Sequence, residues 1–292
     1  MPHPSRKHNI VPAEQLELRI LPTVKVNFNP NNGLLKITGD NAADRVEIDG
    51  TGASGDFELF TDGNLFGEFE NVLRLKINLK GGDDQLHFSS LAIGSISVKF
   101  GEGADLLDID SQINLGTGPS IETDLFGDLK VDFGGNSGDL AAVDGEVRMT
   151  GLVTLDGVAD VDFDGAGTNF GLEDEDVIVT GVRIGLSGLG DVDGDGFAVE
   201  LDNVFLNGGF FTVVGSNSTD LINVARSSFF GELKIDLRDG NDTLRIDNGD
   251  SLKNRFVNPA LFNGGQGQDT LLQGIDNIFN SDPIISGFET IS

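Results

Sequence analysis

The chain has 292 residues, with 48 acids against 19 bases, a formal net charge of −29, and no cysteine. This balance argues against nucleic acid and anionic membrane surfaces, which need a basic footprint, and favours divalent cations that neutralise crowded carboxylates. Without cysteine, disulfides, thiolate nucleophiles and Cys-based zinc sites are excluded, and no run of 18 apolar residues offers a membrane span.

Along the chain, residues 1–9 are basic and polar, and no apolar stretch of the secretory type follows them. Residues 1–22 are therefore read as an N-terminal tail or export-related segment, and residues 23–292 as a single domain. From there on, short runs alternate apolar and polar residues at period 2, the mark of half-buried strands, and Gly-rich stretches separate them. There are 41 glycines and 21 phenylalanines but neither Trp nor Tyr, which suits tight corners around an interior packed with Phe.

One corner recurs in constant register. INLKGGDDQLHF (77–88) lies over VKFGEGADLLDI (98–109) at an offset of 21 residues, placing Asp84 on Asp105, Leu86 on Leu107 and Phe88 on Ile109. The same template puts Asp44, Asp220, Asp242 and Asp269 at corners, with a looser copy around Asp139. A strand–corner–strand unit cannot bury its apolar side alone; stacking its neighbours does so. The expected fold is all-β, a parallel β-helix or β-solenoid of roughly 12 coils and on the order of 60 Å long. The runner-up is an antiparallel β-sandwich, and the repeat is weakest over residues 111–210.

GGQGQDTLL (264–272) matches the nonapeptide GGxGxDxUx, where U is a large apolar residue, and resembles the repeats-in-toxin or hemolysin-type calcium-binding repeat. Asp84, Asp105 and Asp242 keep the GxDxU half of it. The resemblance implies calcium held between turns by these residues and Asp269. No two nonapeptides are tandem, so each coil supplies one such corner where that family supplies two. AEQLELRILPT (13–23) followed by GLLKITGDNAADRVEI resembles the start of planctomycete exterior proteins with calcium-associated β-repeats, which implies a bacterial cell-surface or secreted location.

Asp191-Val-Asp193-Gly-Asp195-Gly196 has the D-x-D-x-D-G pattern of EF-hand and dockerin calcium loops. Alternate carboxylates can curl round one hard cation; Phe197 would add a carbonyl and Asp202, twelfth in the loop, a carboxylate. Position twelve is Asp where that loop has Glu, and a solvated turn fits the same letters. Asp160-Val-Asp162-Phe-Asp164 reads as a strand with three acids on its outer face. Residues 151–202 hold thirteen acids and one base, Arg183.

Little points to catalysis. His3 and His8 lie in the tail, and His87 alternates with Leu86 and Phe88 and so points outward. The expectation is a non-catalytic surface or secreted protein, structural or adhesive and calcium-binding. Its expected partners are divalent cations, cell-envelope polysaccharide or other surface proteins. The alternative is a polysaccharide-acting lyase or hydrolase on a β-helix scaffold.

Overall fold

The structure, a computed structural model, describes residues 24–111, 123–165, 177–188, 191–246 and 253–292. The expected N-terminal segment, and the acids at 173–176, lie outside the described residues. Among the described residues there are strands and no α-helix. The chain alternates between two large sheets of 16 and 12 strands. Each round trip adds one strand to the 12-stranded sheet and one or two to the other, paired in parallel with the strands laid down one round earlier. This parallel pairing rules out the antiparallel sandwich.

Period-2 alternation decides which side chains face inward. In the 12-stranded sheet Val46 and Ile48, Leu86 and Phe88, Leu107 and Ile109, and Val161 and Phe163 turn inward and are fully buried. Leu75 and Ile77, Ile96 and Val98, and Val182 and Ile184 do the same from the other sheet. Each such side chain is worth about 1.5–3 kcal/mol on burial. Phe rings continue the stacking from round to round: Phe100 on Phe133 at 5.0 Å, and Phe256 between Phe229 at 5.4 Å and Phe279 at 4.5 Å. Not every Phe is interior, since Phe66, Phe126, Phe210 and Phe230 are exposed.

Among the described residues the rounds are fewer than the expected twelve. Of the 12 strands in the second sheet, Phe57–Thr61 and Asn64–Phe69 run antiparallel at one edge, which leaves ten parallel strands. At about 4.8 Å per step these span on the order of 45 Å. The 40 residues between Asp44 and Asp84 make one round, because Arg45 pairs directly with Gln85. The excess length is the hairpin 57–69, turning at Asp62 and Gly63, both at positive φ. The first sheet also starts with an antiparallel strand, Lys25–Asn29.

The corner aspartates form a buried ladder. Where the chain leaves the sheet at a corner, the backbone N–H would lose its strand partner, and the carboxylate one round on takes it. Asp44 N–H donates to Asp84 Oδ1 (2.8 Å), Asp84 N–H to Asp105 Oδ1 (2.9 Å), and Asp105 N–H to Asp139 Oδ1 (3.1 Å). A second run joins Asp220 to Asp242 (2.8 Å), Asp242 to Asp269 (2.9 Å) and Asp269 to Glu289 Oε2 (2.7 Å). Glycine is obligatory beside the ladder: a Cβ on Gly103, at φ +139°, would stand 1.9 Å from the Gly82 carbonyl oxygen of the neighbouring round.

Candidate metal centre

Three acidic groupings among the described residues bring ligand atoms within 4.8 Å of one another: Asp191–Asp193–Asp195, Asp162–Asp195–Glu200, and Glu47–Asp49–His87. Oxygens bound to one calcium ion at about 2.4 Å are also no more than about 4.8 Å apart. All three groupings lie on or over the outer face of the 12-stranded sheet.

The loop 191–197 is shaped by its own carboxylates. Asp193 Oδ1 accepts the Asp195 N–H (2.9 Å), Asp195 Oδ1 the Phe197 N–H (2.7 Å), and Asp191 Oδ1 the Gly196 N–H (3.2 Å). The loop is tied down by Asp160, whose Oδ2 accepts the Val192 N–H (2.6 Å) and the Asp193 N–H (3.3 Å). Val161 and Phe163 occupy the core, so Asp160 and Asp162 leave the opposite, outer face of the strand Asp160–Asp164. The loop covers Asp160 completely, and its Oδ1 has no hydrogen-bond partner among the described residues.

The two D-x-D-x-D stretches that look independent in sequence therefore make one site. Asp162 rises from the strand, Asp195 descends from the loop, and Glu200 comes from the next strand, where it pairs in register with Asp162. Burial, with Asp160, Asp193, Asp195 and Glu200 nearby, pushes the Asp162 carboxyl up to about 8. Burial, reinforced by Asp193 and Glu200, raises Asp195 to about 6. Crowded carboxylates with Oδ1 of both Asp160 and Asp162 unpartnered suit a hard cation that replaces the missing countercharge.

Of the other expected ligands, Phe197 stands two residues after Asp195, its N–H bound to that carboxylate. Asp202 is placed apart: it is ion-paired with Arg226 and is in none of the three groupings. Asp84, Asp105, Asp242 and Asp269 sit in the ladder, each with one oxygen on a backbone N–H and Oδ2 without a partner among the described residues. Burial raises Asp84 to about 7, and Asp105, Asp139 and Asp242 to about 6. Sequence reasoning missed Asp162 and Glu200 as partners of the loop; the signal, acids at alternate outward positions of neighbouring strands, requires the register to be known.

The same face carries a further acidic row, in which Asp144, Asp164 and Asp202 stand side by side on successive strands. Burial, with Asp108 and Asp164 beside it, raises Asp144 to about 6. His87 points outward as expected and pairs with Asp110 at 3.2 Å; that bond raises the imidazole pKa. No family model, curated protein or solved structure matches the chain. No helix among the described residues is long and apolar enough to cross a membrane.

Proposed function

We propose that the two sheets close into a β-solenoid, and that the protein is a non-catalytic structural or adhesive component of the bacterial cell surface or exterior, stabilised by calcium. The observation that carries this reading is the joined site, in which Asp162, Asp195 and Glu200 converge over a stack of parallel strands. Calcium fits it better than magnesium: the donors are oxygens from flexible and rigid elements alike, and calcium accepts six to eight such ligands in loose geometry. The acidic composition and the resemblance to exterior calcium-associated repeats point the same way.

An ion bound only to the folded state adds about 2.7 kcal/mol of stability at a hundred times its dissociation constant. Thermal unfolding of the full chain in millimolar calcium, repeated in chelator, is expected to give a higher midpoint with calcium. The variant Asp162→Asn/Glu200→Gln is expected to lose that difference. An unchanged midpoint, with no metal found by elemental analysis, overturns the calcium reading. A calcium shift that survives in the variant moves the ion elsewhere.

A further inference from the structure

The outer face of the other sheet carries both signs, with Asp132, Asp156 and Asp236 in one row, but the row beside it is basic. In-register pairing sets Lys76, Ser97, Lys130, Thr154, Arg183, Thr212 and Lys234 in one straight row across seven neighbouring strands. Cation and hydroxyl alternate without exception along it. The row contains no acid, although acids outnumber bases by 48 to 19 in the whole chain. Lys36 extends it by one more strand, beside Lys76. Lys36, Lys76, Lys130 and Arg183 are exposed and have no ion-pair partner among the described residues.

Two further observations mark the same face. The stretch from Lys130 to Lys234 lines a shallow groove, with Asp156 on its flank. Beside the row, the side chains of Leu152 and Phe210 converge over Gly181, where an added Cβ would stand 3.6 and 3.8 Å from them. Leu152 and Phe210 stay 41% and 39% exposed, so an apolar and aromatic platform adjoins the Arg183 position.

We infer that this face binds an extended acidic polysaccharide carrying an anionic group on alternate sugar units, laid along the stacking direction. Cations on every second strand repeat at about 9.6 Å, twice the interstrand step of about 4.8 Å. A pyranose unit in an extended chain is about as long as one such step. Alternate carboxylates or sulfates then meet Lys76, Lys130, Arg183 and Lys234. The intervening hydroxyl-rich units meet Ser97, Thr154 and Thr212, and one sugar face rests on Phe210. The acidic face of the 12-stranded sheet lies across a core about 10 Å thick, beyond the screening length of about 8 Å at physiological salt. The acids that bear on a ligand are Asp132, Asp156 and Asp236 in the adjoining row, of which Asp132 and Asp236 pair with Lys99 and Lys234. This inference rests on the adhesive part of the proposed function and is independent of the metal.

The test is binding of the full chain, in chelator and physiological salt, to immobilised hyaluronan, whose charge falls on alternate sugars. Neutral dextran and poly-glutamate serve as the comparison surfaces. Retention on hyaluronan but not dextran is expected. Lys130→Gln/Arg183→Gln should weaken it about tenfold. Phe210→Ala should weaken hyaluronan binding while leaving residual poly-glutamate binding unchanged. Lys253→Gln, a charge loss away from the row, should change nothing. Equal retention on poly-glutamate and hyaluronan overturns the carbohydrate assignment and leaves an ion-exchange face. Dimers in sedimentation that dissolve in Lys130→Gln/Arg183→Gln, without hyaluronan binding, overturn it in favour of a contact between this basic face and the acidic face of a second copy. No binding to any surface overturns it outright, whatever calcium does to the unfolding midpoint.

Discussion

Replacing Asp84 by Asn changes one charge and almost no volume, and it isolates the electrostatic cost of the buried ladder. Asp84 is fully buried; its Oδ1 accepts the Asp44 N–H at 2.8 Å, and its Oδ2 has no partner among the described residues. Asn keeps the accepting oxygen and puts an amide where the unpartnered oxygen was. The folded carboxyl binds its proton more tightly than the unfolded one, with a pKa of about 7 against an ordinary 3.8. Well below pH 3.8 both states are protonated and the charge costs nothing. As pH rises from 4 to 7 the unfolded state loses its proton first, so the folded state loses stability, and above about pH 8 the cost is constant. At about 1.4 kcal/mol per tenfold change in proton affinity, that cost is on the order of 4 kcal/mol. The Asn variant should match the parent within about 1 kcal/mol at pH 4 and exceed it by a few kcal/mol at pH 8–9. Urea unfolding of both proteins in chelator, from pH 4 to 9, measures the difference. A gap that is constant over that range, or that narrows as pH rises, refutes the argument that a buried charge at Asp84 opposes folding.

Two other substitutions probe the packing and the charge pairs. Gly103→Ala places a methyl 1.9 Å from the Gly82 carbonyl oxygen, whereas Gly194→Ala, also at positive φ, meets nothing within 4 Å. The first should lose more than about 3 kcal/mol in denaturant unfolding and the second about 1 kcal/mol; equal losses would show that backbone strain alone, not the approach of the next round, sets the requirement for glycine. Arg226→Ala leaves Asp202, only 7% exposed, without its ion-pair partner and should cost about 3–5 kcal/mol. Adding Asp202→Asn should recover much of that loss, and a double variant no more stable than the single one would show that the pair is not the source.

The corner was legible because Gly and Asp are needed there for separate local reasons: one for a carbonyl that passes too close for a side chain, the other for an N–H that has left its sheet. Constant offsets such as 21 residues between Asp84 and Asp105 then revealed the register. The pattern faded in the middle because the ladder itself is interrupted. Ala159 and Phe197 take the position that Asp139 and Asp220 hold, and Asp160 stands one residue later, under the loop. The hairpin at residues 57–69 carried a local Asp62-Gly63 turn signal, but the 40-residue interval was equally compatible with two plain coils. The joined acidic site and the basic row were illegible for another reason. Their members come together only through interstrand pairing, and insertions of unequal length scatter them unevenly in sequence, as with the 21 residues from Lys76 to Ser97 and 33 from Ser97 to Lys130.

The ladder and the parallel pairing also define how the molecule bears load. Each principal strand pairs only with the rounds above and below, and its hydrogen bonds lie along the direction in which rounds are added. Tension along that direction does not shear a whole sheet at once. It peels the outermost round, whose release exposes the next in the same geometry. Rounds of 21 to 27 residues, such as Asp84 to Asp105 and Asp242 to Asp269, each free roughly 70–90 Å of chain at about 3.4 Å per residue. A protein so built yields in small similar steps, dissipating a pull as a series of brief extensions while the rounds behind stay folded.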